Sequence, residues 1–413
     1  MKQPKCRFCA APLSHVQCDL GMSPLANSYV KLEQAHHAEK LYPLKVWVCD
    51  HCFLSQLEEF ESPRAIFSDY PYFSSFSTTW VEHARRYCEM MVERFHFDAN
   101  SQIIEIASND GYLLQHFKAK GIPVLGVEPA ANVAKAAWAQ RQIPSVVKFF
   151  GAQTARELAA DGKTADLLIG NNVLAHVPDI NDFVAGLKIA LKPDGIITCE
   201  FPHLLRLIEQ NQFDTIYHEH FSYLSFLTVE KIFGHHGLTL FDVEEVPTHG
   251  GSLRIFARHV GNKTAAGIAT DRVAKMKDKE ERFGLQKIET YTAFGEKVKR
   301  TKRKLLKFLI EAKDAGKTVA AYGAAAKGVT LMNYCGVGDD LVDYVVDKSP
   351  HKQNHLMPGV RIPIYGPEKI FETKPDYVLI LPWNLKDEIS GEMAGVTEWN
   401  GKFVLPIPEV TVL

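Results

Sequence analysis

Between residues 101 and about 260, short apolar runs alternate with stretches whose apolar positions recur every three or four residues. The runs are "QIIEIA", "IPVLGVEP", "ADLLIGNN", "GIITCEFP" and "LRIFAR". Strand-like runs separated by helical periodicity predict a parallel sheet covered by helices. Before this block, "TTWVEHARRYCEMMVERF" carries the helical spacing, so a helical segment is expected from about 65 to 100. Residues 1 to about 60 read differently, with short strand-like runs such as "YPLKVWVC" around two Cys-x-x-Cys pairs. A charged helical stretch follows the α/β block, from about 270 to 314. The alternation then restarts in "TVAAYGAAAKGVTLMNYCG", "VDYVVDKSP" and "PDYVLILPWN". Three units are expected: 1–65, 66–265, and 266–413 with its helical linker.

Composition narrows the class. At 413 residues the chain exceeds one ordinary core. Charged residues are 23%, aromatics 10%, and the formal net charge is −2, giving no general basic excess for nucleic acid. The basic run Glu296–Phe308 is best read as a solvated helix face. No run of eighteen apolar residues occurs and the N-terminus is polar, so no membrane span and a cytoplasmic location are expected. Its eight cysteines are then thiols or metal ligands.

Cys6 with Cys9, and Cys49 with Cys52, are spaced to place two thiolates on each of two tight turns. Four converging thiolates suit tetrahedral zinc, and a closed shell makes that zinc structural. Cys18, Cys88, Cys199 and Cys335 stand alone and are expected to be buried apolar residues.

"IIEIASNDGYLL" reads as strand, loop of small and polar residues, then helix. Ala107, Ser108 and Gly111 permit close approach of a ligand, with Glu105, Asn109 and Tyr112 beside them. Glu128, followed by Pro129, ends the next strand, where a carboxylate can accept both hydroxyls of a ribose. No G-x-G-x-x-G is present, which argues against a dinucleotide. The pattern resembles motif I of class I S-adenosylmethionine-dependent methyltransferases, with alanine at 107 where glycine is common. In such enzymes the strand end at Asn171 and Asn172 also holds the methyl donor.

"YHEHFSYLS" groups Tyr217, His218, Glu219, His220 and Tyr223. Acid/base work and a second metal site are both open chemistries for it. Two alternating histidines do not make a compact ligand set, and the H-E-x-x-H spacing is missing, so acid/base is favoured.

The ordered set of a four-cysteine module, "EIASNDGYLL", "NNVLAHVPD", "YHEHFSYLS", "THGGSLR" and "YGAAAKG" resembles the zinc-containing sugar C-methyltransferase family, nearly end to end. That resemblance implies a Rossmann-like class I methyltransferase core, an N-terminal zinc module and a smaller C-terminal α/β domain that helps hold a nucleotide diphosphate. It implies methylation of a dTDP- or GDP-linked 4-keto-6-deoxy sugar at carbon 3, with His220 as base and Tyr217 and Glu219 beside it. His176 becomes a second candidate for holding the sugar. Tyr72, with Tyr70 as rival, is expected to contact substrate or cofactor. The chemistry agrees: carbon becomes nucleophilic toward a sulfonium methyl only as an enolate, which needs a base and donors to the ketone oxygen.

For the sugar and its diphosphate, the expected contacts are Gly250, Gly251, Ser252 and Arg254, then Gly323, Lys327, Asn333, Asp347, Trp383 and Asn384. Gly323 and the following alanines would let helix N-terminal amides face a phosphate, with Lys327 adding charge. Two other readings compete: a methyltransferase for a different small-molecule acceptor, and a non-catalytic zinc-ribbon module.

Overall fold

The computed structural model describes residues 3–62, 64, 74–262 and 271–413. Tyr70 and Tyr72 lie outside them.

The alternating block folds into a seven-stranded sheet. Its order is Leu238–Val246, Ser252–His259, Leu191–Pro202, Ala165–Asn171, Ile103–Ile106, Val124–Val127 and Ser145–Val146. All run parallel except Ser252–His259, which is antiparallel to both neighbours. Strand Ile103–Ile106 is buried along its whole length, as a central parallel strand covered on both faces must be. The first strand in sequence is central and the order reverses beside it. That reversal opens a crevice at the carboxyl ends of Ile103–Ile106 and Ala165–Asn171. Six parallel strands with one antiparallel strand inserted next to the edge is the class I methyltransferase arrangement.

Helix Thr78–Phe95 leads into this sheet. Ala84, Tyr87, Cys88 and Met91 make its buried stripe, Ser77 caps it by accepting from the Trp80 amide, and His96 ends it in the left-handed region. The charged stretch after the core is three helices, Arg272–Phe283, Ile288–Thr292 and Phe294–Asp314. The last buries Phe294, Val298, Leu305 and Leu309, and its lysines and arginines lie on other faces, many of them exposed.

The C-terminal residues form a second sheet, ordered Ile364–Tyr365, Tyr344–Val346, Val319–Tyr322, Tyr377–Ile380, Lys402–Leu405 and Thr411–Val412. The N-terminal residues form a third, and it includes a strand from elsewhere. After His15–Ser23, Tyr42–Val48 and Ser55–Gln56 comes Ser222–Tyr223, from the "YHEHFSYLS" segment. A two-stranded ribbon, Val30–Lys31 with His355–Leu356, joins the N-terminal module to the C-terminal domain. One apolar cluster joins the N-terminal sheet, the segment 204–223 and the C-terminal domain, bringing Leu44 and Val46 together with Phe213, Ile216, Val329 and Leu331.

Candidate active site

The zinc knuckles are built alike. In each, the residue after the second cysteine is left-handed (Ala10 at φ 60°, Phe53 at φ 64°) and donates its amide to the first cysteine's carbonyl. All four Sγ atoms lie within 4.8 Å of one another, with Cys6–Cys52 and Cys9–Cys49 at 3.5 Å. Tetrahedral zinc with Zn–S near 2.3 Å needs sulfurs about 3.8 Å apart, so the donor set fits. Gln56 adds an amide 3.3 Å from Cys6 Sγ. Cys18, Cys88, Cys199 and Cys335 are buried.

At the core crevice, the loop after Ile103–Ile106 turns through three left-handed residues, Ala107 (φ 55°), Asn109 (φ 50°) and Gly111 (φ 77°). Gly111 is needed there twice over, because a Cβ would stand 2.8 Å from Ile143 Cγ1. Glu128 accepts from the amides of Asn109 and Ala130, both at 2.9 Å, which pins the loop to the second strand. Glu105, Asp110 and Glu128 are all buried. Burial, then the neighbouring Asp110 and Glu128, push Glu105 well above the usual carboxylate range. Trp80 stacks on Tyr112 at 6.0 Å. Aromatic faces at the pocket wall favour a cation. The Ser108 hydroxyl and both atoms of the Asn171 amide are buried without a hydrogen-bond partner, and the Asp110 carboxylate, also without one, has an ion pair with Arg141 at 3.6 Å. Unpaired buried polar groups gathered at one strand edge are costly unless a ligand completes them. This pocket therefore fits S-adenosylmethionine, a cation with many polar groups.

"YHEH" is a tight turn, closed by the His220 amide donating to the Tyr217 carbonyl at 2.9 Å. The turn sends its three ionisable side chains in different directions. His218 Nε2 lies 3.2 Å from the Pro43 carbonyl. Glu219 accepts from Asn27 at 2.8 and 2.9 Å, and burial pushes its pKa up to about 7. His220 Nδ1 lies 2.8 Å from the Thr215 carbonyl. A carbonyl only accepts, so the proton is on Nδ1 and Nε2 carries the lone pair. Glu219 was expected beside His220; the Thr215 carbonyl orients the ring, and the turn points the Glu219 carboxylate at Asn27 of the N-terminal module. His176 Nδ1 lies 2.8 Å from the Glu219 carbonyl, and its ring packs on His220 at 4.7 Å. Tyr217 also packs on His220, at 4.0 Å. Burial first, then positive charge at His176, pushes His220 well below its usual pKa. Among the described residues, the four cysteines are the group whose ligand atoms converge on a metal.

The C-terminal domain reaches the same place. Lys327 Nζ bonds Asn384 Oδ1 at 2.7 Å and sits 4.8 Å above the Trp383 ring. Trp383 donates its indole N–H to Asp214 at 2.7 Å. A Cβ on Gly250 would come within 2.6 Å of that indole, so the glycine admits the tryptophan.

Family models match three successive parts of the chain: "Putative zinc binding domain" over 6–67, "Methyltransferase domain" over 80–243, and "C-methyltransferase C-terminal domain" over 247–408. C-methyltransferase NovU of Streptomyces niveus is 35% identical over 99% of this chain and 96% of its own length. The chain belongs to the zinc-containing C-methyltransferase family. It is an S-adenosylmethionine-dependent C-methyltransferase with structural zinc. A ubiquinone biosynthesis O-methyltransferase of Bartonella tribocorum is 31% identical over 24% of this chain and 40% of its own. Magnesium protoporphyrin IX methyltransferase from Synechocystis PCC 6803 aligns at TM-score 0.34 and 14% identity, covering 43% of this chain and 82% of that one.

In this C-methyltransferase several expected substrate contacts are occupied within the protein. Arg254 pairs with Glu200 and Glu244 over the Tyr87 ring, bracing the sheet. Asn333 donates to the carbonyls of Val329 and Pro358. Ser252 donates to Thr248 O. Gly251 leaves space for Arg206, and Gly323 for Pro382, whose Cδ would stand 2.4 Å from a Cβ. Gly323 therefore serves strand packing in the first instance. Asp347 ends strand Tyr344–Val346 and accepts from the Ser349 amide. Asn27, Thr215, Asp214 and His249 were not foreseen. Their partners lie far off in sequence or are backbone atoms, and a local motif shows neither.

Proposed function

We propose that the acceptor is a nucleotide-diphosphate-linked 4-keto-6-deoxy sugar, dTDP- or GDP-linked, and that carbon 3 is methylated through an enolate formed by His220. The carrying observation is the His220 tautomer: Nδ1 is committed to the Thr215 carbonyl, so Nε2 is the basic atom, on a ring packed against Tyr217 and His176. A carbon acceptor needs such a base, whereas methylation of a hydroxyl needs no carbon acid removed.

The donor supplies an electrophilic methyl group on a sulfonium. Glu128 holds the ribose hydroxyls, Asn171 and Asn172 the remaining polar edge, and the Ala107–Gly111 loop allows close approach. His220 Nε2 takes the proton from carbon 3 and the electron pair moves onto the ketone oxygen. Tyr217 donates to that oxygen, and the low polarity of the buried site strengthens the bond. His176, whose Nδ1 proton goes to the Glu219 carbonyl, presents Nε2 as an acceptor and holds a sugar hydroxyl. Lys327 and Asn384 are assigned to the diphosphate, and Asp347 to the nucleoside. Tyr72 keeps its place as a proposed contact. Glu219, tied to Asn27, fixes the turn.

The test is methyl transfer to a panel of dTDP- and GDP-linked 4-keto-6-deoxy sugars, with the new carbon–carbon bond located by NMR. A C-methyl at carbon 3 is expected. Transfer to oxygen, or none to any nucleotide sugar with activity on a free small metabolite, would replace this reading.

A further inference from the structure

The loop between the edge strand Leu238–Val246 and its neighbour Ser252–His259 holds His249 at φ 57°, ψ 20°. A residue with a Cβ is disfavoured in that region, and such residues persist where the surroundings over-determine them, often at functional sites. Here the surroundings do. The Gly251 amide donates to Thr248 O at 2.9 Å, the His203 amide donates to Gly251 O at 3.0 Å, and Gln212 Nε2 donates to Gly250 O at 2.7 Å. Trp383 fills the space that a side chain at 250 would take.

The ring that this backbone presents is exposed, and it lies between two halves of the site. Its Nε2 is 3.4 Å from Asn172 Nδ2 and its centroid 5.2 Å from Trp80, both at the wall of the donor pocket. Lys327, Glu200, His83 and His176 are near enough to act on it electrostatically. An amide nitrogen only donates, so Nε2 accepts and the ring proton is on Nδ1. Among the described residues no acceptor takes that proton. Although the ring edge is open to solvent, the protein packed around it and then Lys327 lower the pKa to about 4, which keeps the ring neutral near pH 7.

We propose that His249 is a further catalytic residue, a neutral imidazole whose Nδ1–H donates to the acceptor's ketone oxygen as that oxygen becomes the enolate oxygen. The proposal rests on the enolate reading. In that step the carbon-bound proton passes to His220 Nε2 and the carbon–hydrogen electron pair becomes the new carbon–carbon π bond. The carbonyl π pair then settles on oxygen, and His249 keeps its proton throughout.

Two substitutions leave the backbone conformation allowed: His249→Asn, because asparagine tolerates the left-handed region, and His249→Gly, which relieves it. The probe is dTDP-4-keto-6-deoxyglucose in deuterated water with S-adenosylhomocysteine bound, reading exchange at carbon 3 above the spontaneous rate. Both variants are expected to lose exchange and turnover by about 10²- to 10³-fold, as for one oxyanion donor. They should hold S-adenosylhomocysteine affinity within about twofold in calorimetry, and His249→Gly should melt no lower than wild type. Exchange within about threefold of wild type would overturn the proposal, because a merely structural histidine gives that result. Affinity for S-adenosylhomocysteine falling in step with turnover would also overturn it, placing His249 in the donor pocket alone. If wild type itself accelerates no exchange while methylating the sugar, the enolate reading fails first and takes this proposal with it.

Discussion

At the scale of single residues, the site is shaped by where burial puts charge. His220 lies in a low-polarity region that disfavours its charged form, with Lys327 adding repulsion and the Thr215 carbonyl opposing the shift. A lowered pKa keeps the basic form populated as pH falls, so the proposed base stays competent below the ordinary histidine range near 6.5. The pH profile of kcat/KM is therefore expected to show no limb at 6.5 belonging to this base. Glu219, pushed up to about 7 by burial, changes charge within the same window. Glu219→Gln fixes the neutral form and separates the two. A limb at 6.5 that survives Glu219→Gln would contradict the lowered His220. Ala107 makes a second residue-scale case. Its φ of 55° costs about 1–2 kcal/mol for a residue with a Cβ, against the lower but real entropic cost of glycine. Ala107→Gly is expected to stabilise the protein by about 0.5–1 kcal/mol in urea denaturation, with donor affinity kept or improved. A loss of stability would show that the alanine methyl makes a packing contact worth more than the strain.

At the scale of elements, the zinc module acts as a bracket for the proposed catalytic turn. Leu57 donates its amide to the Phe221 carbonyl, Ser55–Gln56 pairs with Ser222–Tyr223, Pro43 meets His218, and Asn27 meets Glu219. Gln56 also touches the Cys6 sulfur, so the metal shell and the turn share a residue. Metal ligation in such modules is coupled to folding. Stripping zinc with a chelator, or Cys49→Ser, is thus expected to abolish methyl transfer while calorimetry still detects S-adenosylhomocysteine in the core pocket. Full activity in protein shown by elemental analysis to be zinc-free would contradict the bracket. The cysteine spacing and the alternating runs announced the zinc shell and the parallel sheets, because each depends on residues close in sequence. The two-residue strand Ser222–Tyr223 did not announce itself. Its partner strand is more than 160 residues away, and two residues carry no periodicity. The same distance hid Asn27 as the partner of Glu219, which the motif placed beside His220.

At the scale of the whole molecule, three units meet around one cleft. The core supplies the donor pocket and His176, the N-terminal module fixes the turn that bears Tyr217 and His220, and the C-terminal domain brings Lys327 and Asn384. Trp383 locks the last of these in place, through Asp214 on one edge and Gly250 on another. Asp214 is fully buried, and burial pushes its pKa up to about 6, so the indole N–H and the nearby Lys327 matter to keeping it charged. This convergence is what a two-substrate carbon alkylation requires: donor and acceptor from different sides, with the base between them and water excluded. The central claim, that His220 makes the enolate, is tested most directly by separating proton removal from methyl transfer. Wild type and His220→Asn are compared for solvent-deuterium entry at carbon 3 of the nucleotide-linked 4-keto sugar, with S-adenosylhomocysteine in place of the donor. Wild type is predicted to accelerate exchange well above the spontaneous rate, and His220→Asn to lose about 10²- to 10⁴-fold of that acceleration with both ligands still bound. Exchange by His220→Asn at the wild-type rate would contradict the account and move the base to another residue of the cleft, His176 first.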